Sequence, residues 1–188
     1  MKRLFAQLLQ DQAANPISFK SKSLLFCFRA AQWTVRQPRW RKYLFAPVML
    51  LYYLYSEFLT IELPSTVIAG PGLRIFHGQA LVVNPFTIIG ADCALRNSTT
   101  IGNKQLRDGT WSAPPVIGDH VDIGSNAVII GPLQIGDYVI IGAGSVVVAD
   151  VPAGAIVAGN PARIIRMRDD VLRHAKVCAD AQLNRANS

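Results

Sequence analysis

The feature that most constrains the fold is an aliphatic residue that returns every six positions between Val116 and Asp150. Six is neither the period of a helix, about 3.6 residues, nor the simple alternation of a strand. A short period with one inward-pointing aliphatic side chain per repeat is typical of a β-helix whose coils bury one another's faces. The glycine that follows many of these residues is expected to let the backbone turn. The residues at this spacing are Ile117, Ile123, Ile129, Ile135, Ile141 and Val147.

The same spacing continues upstream, with two interruptions. Before Val83 the phase slips in an irregular first coil that contains His77. Sixteen residues separate Ile101 from Ile117, so the polar stretch 103–115 is predicted to project as a loop. Long excursions from a rigid scaffold are often functional. The pattern predicts an all-β core, a parallel β-helix over residues 61–165 with the loop 103–115 inserted. Its upstream repeats are Val83, Ile89, Leu95 and Ile101.

Helices are expected on both sides of this domain. Residues 1–60 show apolar residues at helical spacing between Pro-containing breaks, and residues 166–188 are read as a C-terminal helix and tail. No cleavable leader is predicted. The uncharged run Tyr43–Ser56 is shorter than the ~20 residues that cross a bilayer. It either packs on the β-helix end or a subunit interface, or lies in a membrane interface, because it follows Arg36, Arg39, Arg41 and Lys42.

Charge and cysteine content narrow the classes of function. The formal net charge of +7 would suit nucleic acid, anionic lipid or a phosphorylated cofactor. Nucleic acid is not expected, because the charge is taken to divide between the N-terminal helices and the C-terminal end. Three widely spaced cysteines without a CxxC pair argue against a disulfide framework or a zinc site and favour a reducing cytosol. They are Cys27, Cys93 and Cys178.

Three stretches carry a resemblance to a known family. The first resembles the terminal coil of hexapeptide acyltransferases and reads AGSVVVADVPAGAIVAGNPARII. The second is similar to the serine acetyltransferase family and consists of ELPSTVIAGPGLRIFHGQALVVNPFTIIG followed by LRNSTTIGNK. WRKYLFAPVMLLYYLYSEF resembles the helical lead-in of colanic acid acetyltransferases, relatives that act in exopolysaccharide synthesis. The resemblance implies a left-handed parallel β-helix. It also implies a homotrimer that binds acetyl-coenzyme A between neighbouring subunits.

The resemblance places a general base and its partner. His77 in RIFHG falls on the catalytic base, and Glu62 in TIELP falls where the family has an aspartate that orients this base. Imidazole suits proton removal from a hydroxyl near neutral pH, and a carboxylate on its other nitrogen fixes the tautomer. Fifteen residues separate the two, about one coil, so stacking is expected. Backbone N–H groups or the amides of Asn84 or Asn97 would stabilise the oxyanion.

Two departures from the serine acetyltransferase pattern bear on the acceptor. Phe76 stands where the family has an aspartate before the base, and Pro114 stands where it has a second histidine. Both family residues help to hold the amino acid. A sugar hydroxyl is therefore expected as the acceptor in place of L-serine. The shorter helical segment also favours a plain trimer over a hexamer.

The resemblance also implies a path for coenzyme A, since the chain has no glycine-rich phosphate loop. The pantetheine arm would follow the turns at Ser125 and Ala143, with Asn103 and Lys104 at the mouth of the loop. Arginine suits phosphate because of its planar fork. The phosphates would meet basic residues after the last coil, namely Arg163, Arg166 and Arg168.

Other chemistries are less favoured. Cys93 as an acyl-carrying nucleophile has no matched base nearby and is expected to be a small buried side chain. A carbonic-anhydrase-type zinc site needs three histidines from adjacent coils, whereas His120 and His174 are expected at the surface, so no metal is predicted. A non-catalytic β-helix scaffold remains an alternative that measurable thiol release from acetyl-coenzyme A would exclude.

The sequence therefore predicts an acetyl-coenzyme A-dependent O-acetyltransferase that modifies a sugar hydroxyl in capsule or exopolysaccharide assembly. The expected acceptor is a glycan or a lipid-linked glycan. The expected location is cytoplasmic, with peripheral association at the inner face of the cytoplasmic membrane as a further expectation. Serine O-acetyltransferase is the alternative activity.

Overall fold

The computed structural model describes residues 2–168, and within them four helices precede a parallel β-helix of about five coils. The coils have three flat faces, and each strand pairs in parallel with the equivalent strand of the next coil. The predicted β-helix is thus confirmed. The helices are α1 (Lys2–Leu9), α2 (Phe19–Val35), α3 (Arg39–Leu44) and α4 (Ala46–Phe58).

The strands are short, two or three residues for most of the rod. The first face holds β1 (Ile61–Glu62), β4 (Leu81–Val83), β7 (Thr100–Gly102), β10 (Val128–Ile130) and β13 (Val146–Val147). The second face holds β2 (Ile68–Ala69), β5 (Ile88–Ile89), β8 (Val116–Ile117) and β11 (Gln134–Ile135). The third face holds β3 (Arg74–Phe76), β6 (Ala94–Arg96), β9 (Asp122–Ile123), β12 (Ile140–Ile141) and β14 (Ala155–Gly159). An antiparallel strand, β15 (Ala162–Met167), completes this face.

The aliphatic residues of the repeat form the interior of the rod, and all six between Ile117 and Val147 are buried. The glycines that follow them have a different role from the one expected. A Cβ on Gly124 would lie 2.5 Å from the backbone nitrogen of Ala143 in the next coil, so glycine is required for close stacking. The left-handed turn positions are separate from these glycines and hold both kinds of residue, Gly72 and Gly154 as well as Asp92, His120 and Tyr138.

The helices close the open end of the first coil with buried polar side chains. Arg29 forms an ion pair with Asp11, both side chains 1% exposed, and donates to the carbonyls of Ala69 and Gly70 at 2.8 and 2.7 Å. Asp11 in turn accepts from the backbone N–H of Leu73 at 3.0 Å. A first coil has no preceding coil to pair with, and unpaired buried backbone groups are costly. These side chains take the place of the missing strand.

The helix α4 packs with one face and exposes the other. Tyr52 is buried and donates its hydroxyl to the carbonyl of Leu63. Within the described part of the chain, no helix has the length and hydropathy that crossing a bilayer requires. At the other end, Arg166 and Met167 belong to β15 and not to the start of the expected helix. The remainder of that helix, with His174 and Cys178, lies outside the described residues.

Candidate active site

Four of the residues singled out in the sequence form one column along the edge between the third and first faces. The register pairs Phe76 with Arg96, Ala94 with Asp122, and Asp122 with Ile140. Continuing that register places four side chains on one edge in successive coils, about 4.8 Å apart. They are His77, Asn97, Ser125 and Ala143. The Ser125 hydroxyl donates to Oδ1 of Asn97 at 3.0 Å, which ties two of the coils together.

His77 sits in an insertion within this edge. Phe76 pairs with Arg96 and Val82 pairs with Thr100, so five residues in the first coil face three in the second. The two extra residues create a bulge in which His77 and Gly78 both have left-handed backbone conformations, with φ of 66° and 70°. A Cβ on Gly78 would lie 2.8 Å from Ile75 Cγ2 and 2.9 Å from Ile61 Cδ1, so the bulge depends on glycine.

The helical segment holds this bulge from outside the coils. Lys20 of α2 donates its ammonium group to the carbonyl of His77 at 2.9 Å, and the Gln79 amide donates to the same oxygen. Ser21, one residue further along α2, donates to the carbonyl of Ile75 at 2.6 Å. The main chain around His77 is thus held by bonds from α2, while its imidazole remains exposed.

Glu62 lies close to the bulge without touching His77. The strand that carries Glu62 pairs it with Val82, so the expected stacking of Glu62 and His77 one coil apart does not occur. Ile61 beside it lies against Gly78, which makes the two segments neighbours. Among the described residues no hydrogen bond or ion pair joins the carboxylate and the imidazole. Glu62 instead lines a separate cavity of about 370 Å³ together with Tyr53 and Glu57.

The cavity beside His77 has a volume of about 470 Å³ and is cationic. Lys20 and Arg74 line it, and no carboxylate does. Arg74 also donates to the carbonyl of Asp92 at 3.1 Å. Phe76, the departure noted from the sequence, places its ring 5.2 Å from the guanidinium carbon of Arg96. Lys20 and Arg74 were not expected at this site from the sequence, although strand alternation places the side chain of Arg74 outward, next to the buried Ile75.

The remaining polar candidates group at a different edge, between the first and second faces. Asn84 donates from Nδ2 to Oδ1 of Asn103 at 3.1 Å, and Asn103 donates to the carbonyl of Ser112 at 3.3 Å. Lys104 follows directly and is exposed. Within one chain the first face separates this group from His77. Of the two proposed oxyanion amides, only Asn97 lies next to His77.

The segment 103–115 projects as a hairpin. Gln105 and Trp111 form an antiparallel bridge, and Trp111 is 65% exposed. At the tip, the Thr110 hydroxyl and amide donate to the Asp108 carboxylate at 2.6 and 3.0 Å, and these bonds lower the pKa of that carboxyl. Tryptophan is enriched in protein interfaces, so the exposed Trp111 makes this hairpin a candidate contact surface.

The basic residues after the last coil are spread along β15. Arg163 pairs with Ala158, which lies against Gly142, the neighbour of Ala143. Arg163 is therefore at the end of the column that starts at His77. The backbone N–H of Arg168 donates to the carbonyl of Gly154 at 2.8 Å, which puts Arg168 at the opposite edge of the same face. Arg166 lies on the strand between them and is exposed.

Cys93 points into the core, as expected, in a site that opposes thiolate formation. It is fully buried, and burial raises the pKa of its thiol to about 11. We predict that iodoacetamide at pH 8 leaves Cys93 of the native protein unmodified, because roughly one thiol in a thousand is ionised. Labelling should accelerate as the pH rises towards 11 and should be complete in guanidinium chloride, as measured by peptide mass spectrometry. A C93A variant that lost acetyl transfer while remaining folded would contradict this reading.

The described residues 2–168 contain no cluster of side chains arranged to bind a metal ion. No group of three histidine, cysteine, aspartate or glutamate side chains converges there. His120 stacks on Tyr138 with ring centroids 4.6 Å apart and lies 3.8 Å from the Asp92 carboxylate. This pair lies at the edge between the second and third faces, away from His77.

Comparison with known proteins supports the geometric description. Residues 114–149 match the family described as bacterial transferase hexapeptide (six repeats), whose repeats imply the left-handed sense of the β-helix. The Escherichia coli K12 protein WcaB, named as an acetyltransferase of colanic acid biosynthesis, is 34% identical over 164 residues, covering 84% of this chain and 98% of WcaB.

Solved structures show the same architecture. The serine acetyltransferase of Brucella abortus strain S19 superposes with a TM-score of 0.66 at 26% identity, over 88% of this chain and 67% of that one. A serine acetyltransferase in complex with CoA gives a TM-score of 0.71 at 23% identity, over 87% and 70% of the two chains. At that identity the second comparison shows the fold alone.

Proposed function

The chain belongs to the hexapeptide-repeat acetyltransferases of the serine acetyltransferase family, and from this premise we propose that it transfers acetyl from acetyl-coenzyme A to a sugar hydroxyl. The setting is exopolysaccharide assembly, and His77 is the general base. Support for the acceptor comes from WcaB, a protein of colanic acid biosynthesis that this chain matches over almost its full length. A CoA complex in a protein of the same fold supports the donor.

The observation that carries the proposal is the column on one edge of the rod. His77 stands at one end of it, and Asn97, Ser125 and Ala143 follow in register, with Arg163 beyond them. This edge offers an extended, thin ligand a continuous path between a base and a basic end. The side chain at position 143 is a methyl group, which leaves the backbone accessible. Acetyl-coenzyme A would fit with its thioester beside the base His77 and its phosphates beside the guanidinium of Arg163.

The proposed reaction is a direct transfer. His77 removes the proton from the acceptor hydroxyl, whose oxygen attacks the thioester carbonyl carbon. The tetrahedral oxyanion forms, and the Asn97 amide or a backbone N–H near the bulge donates to it. The carbon–sulfur bond then breaks, and His77 returns the proton to the coenzyme A sulfur. Glu62 orients the imidazole in this scheme after its side chain turns towards the bulge from the adjoining strand.

The electrostatics of the cavity favour a sugar over an amino acid. Lys20 and Arg74 line it without a carboxylate, so they could pair with the carboxylate of L-serine but its ammonium group would have no counter-charge, whereas a sugar hydroxyl needs none. Its volume of about 470 Å³ is in the range of sites for whole small molecules. L-serine remains the second candidate, because the superposed Brucella structure is a serine acetyltransferase.

A homotrimer would complete the site. Asn84, Asn103 and the hairpin lie at the edge between the first and second faces, and His77 lies at the edge between the third and first. In a three-fold assembly with parallel rods, one kind of edge of a subunit can meet the other kind on its neighbour. The hairpin would then cover the His77 column of the adjacent subunit. Light scattering that showed a monomer at working concentration would contradict this arrangement.

The decisive experiment is acceptor profiling with the full chain and acetyl-coenzyme A. We expect thiol release with oligosaccharide repeat units, identified by an acetyl ester on a sugar hydroxyl by mass spectrometry, and release at background rate with L-serine. Rapid acetylation of L-serine would overturn the acceptor assignment and leave the donor assignment standing. Absence of thiol release with every hydroxyl compound would support the non-catalytic scaffold.

A further inference from the structure

The helical segment of this protein is strongly basic. Residues 1–60 contain nine Lys and Arg against two Asp and Glu, a balance of +7, whereas residues 61–188 contain ten of each. The helical segment alone therefore carries a charge equal to the net charge of the whole chain, and residues 151–188 contain a further six Lys and Arg against three Asp and Glu. One of its two acidic residues, Asp11, is buried in the pair with Arg29.

The same segment exposes an apolar face on α4. Tyr52 and Ser56 point inward, and on the opposite side of the helix the side chains are 56–82% exposed. A helix that is apolar on both sides is expected to be covered on both. The exposed aromatic residues Trp40 and Tyr43 of α3 lie just before it in the chain. We call this set the outer face of α3 and α4, and on α4 it consists of Leu50, Leu51, Leu54 and Phe58.

The charge distribution selects the occupant of this face. Covering it with the same face of a second copy would bring two segments of +7 each together, and like charges across an interface are unfavourable. An anionic lipid surface would match both the positive charge and the exposed apolar face. Basic residues bind the anionic headgroups, and leucine and phenylalanine insert at the boundary between headgroups and acyl chains. Tryptophan and tyrosine are enriched at that depth. The helix α3, with the sequence RWRKYL, combines the basic and aromatic residues in six positions.

We propose that the outer face of α3 and α4 binds the protein peripherally to an anionic membrane surface. The helix α4 lies in the plane of the interface, consistent with its length of 13 residues. This inference goes beyond the proposed reaction and does not depend on it, because the outer face of α3 and α4 includes no residue of the His77 edge or its cavity.

The test is co-sedimentation of the full chain with vesicles. Wild type is expected to bind phosphatidylcholine vesicles that contain 30% phosphatidylglycerol at low salt, to bind pure phosphatidylcholine at least tenfold more weakly, and to be released by high salt. R39Q/R41Q/K42Q should weaken binding on the order of 100-fold, since each basic residue near the surface contributes about a fivefold factor. L51S/L54S should weaken it at least tenfold.

A matched control tests whether binding depends on the outer face of α3 and α4 or on any exposed apolar side chain. Ile165 on β15 is 65% exposed, against 63% for Leu51, and lies outside the helical segment, so I165S should bind vesicles as wild type does. Equal binding to neutral and anionic vesicles, or unchanged binding by both multiple variants, would overturn the proposal. A third outcome would also overturn it: wild type does not bind vesicles, and L51S/L54S has a lower oligomeric mass than wild type by light scattering. The outer face would then contact another copy of the chain.

Discussion

Replacing His77 by alanine is expected to lower kcat for acetyl transfer by a factor of about 10²–10⁴, the usual contribution of a positioned general base. The backbone bonds that hold the bulge, from Lys20 and Gln79 to the carbonyl of residue 77, do not depend on the imidazole. The fold and the KM for acetyl-coenzyme A should therefore change little. Thiol release from acetyl-coenzyme A in the presence of the oligosaccharide acceptor measures kcat directly.

His120→Ala is the matched control for this variant. Its imidazole is also exposed and also occupies a left-handed turn position, with φ of 56°, but it lies at another edge. We expect its activity to stay within about twofold of wild type. Added imidazole should partly restore H77A and leave H120A unaffected, which a purely structural role of His77 would not produce. Turnover of H77A near the wild-type rate would remove His77 from the mechanism.

Replacing Arg29 by methionine is expected to reduce the free energy of unfolding by about 3–5 kcal/mol, the loss typical when one partner of a buried ion pair is removed. The substitution leaves the Asp11 carboxylate uncompensated at 1% exposure and removes the donors to the carbonyls of Ala69 and Gly70. The first coil then loses part of the cap that stands in for a preceding strand. Guanidinium chloride unfolding at fixed protein concentration measures the change.

The exposed ion pair of Arg96 and Asp122 provides the comparison. Its side chains are 31% and 40% exposed, so R96M should cost about 1 kcal/mol or less. The double variant D11A/R29M should be less destabilised than the sum of its single variants, because no unpaired buried charge remains. A cost for R29M no larger than that for R96M would show that the cap contributes little to stability.

The repeat could predict the rod because each inward residue meets its own equivalent in the next coil. Ile123 lies between Leu95 and Ile141 in successive coils of the third face, so a local spacing of six becomes a packed core without further information. The role of glycine was misjudged. The sequence shows Gly124 after Ile123, but only the stacked coils reveal that a Cβ there would lie 2.5 Å from the Ala143 nitrogen.

The site was only partly accessible to the same reasoning. Continuous register explains why His77, Asn97, Ser125 and Ala143 share an edge. Asn84 was expected as an oxyanion donor near His77, and Asn103 was expected at the mouth of the loop on the coenzyme A path; both follow strands of the first face and lie at a different edge. The Glu62–His77 spacing of fifteen residues was mistaken for one coil, whereas the residue one coil on from Glu62 is Val82, so the chain reaches His77 before that coil is complete.

The sequence by itself determined the β-helix, its interior and the projecting segment 103–115, since these follow from periodicity and from a break in it, whereas His77 as the base rests on the family resemblance and stays a prediction. Only the tertiary structure decided how the first coil is closed and what surrounds His77. Lys20, Asp11 and Arg29 lie forty or more residues from the backbone groups of the first coil that they bind. A buried polar side chain is stabilised by its partners, and partners so distant in the chain leave no local pattern.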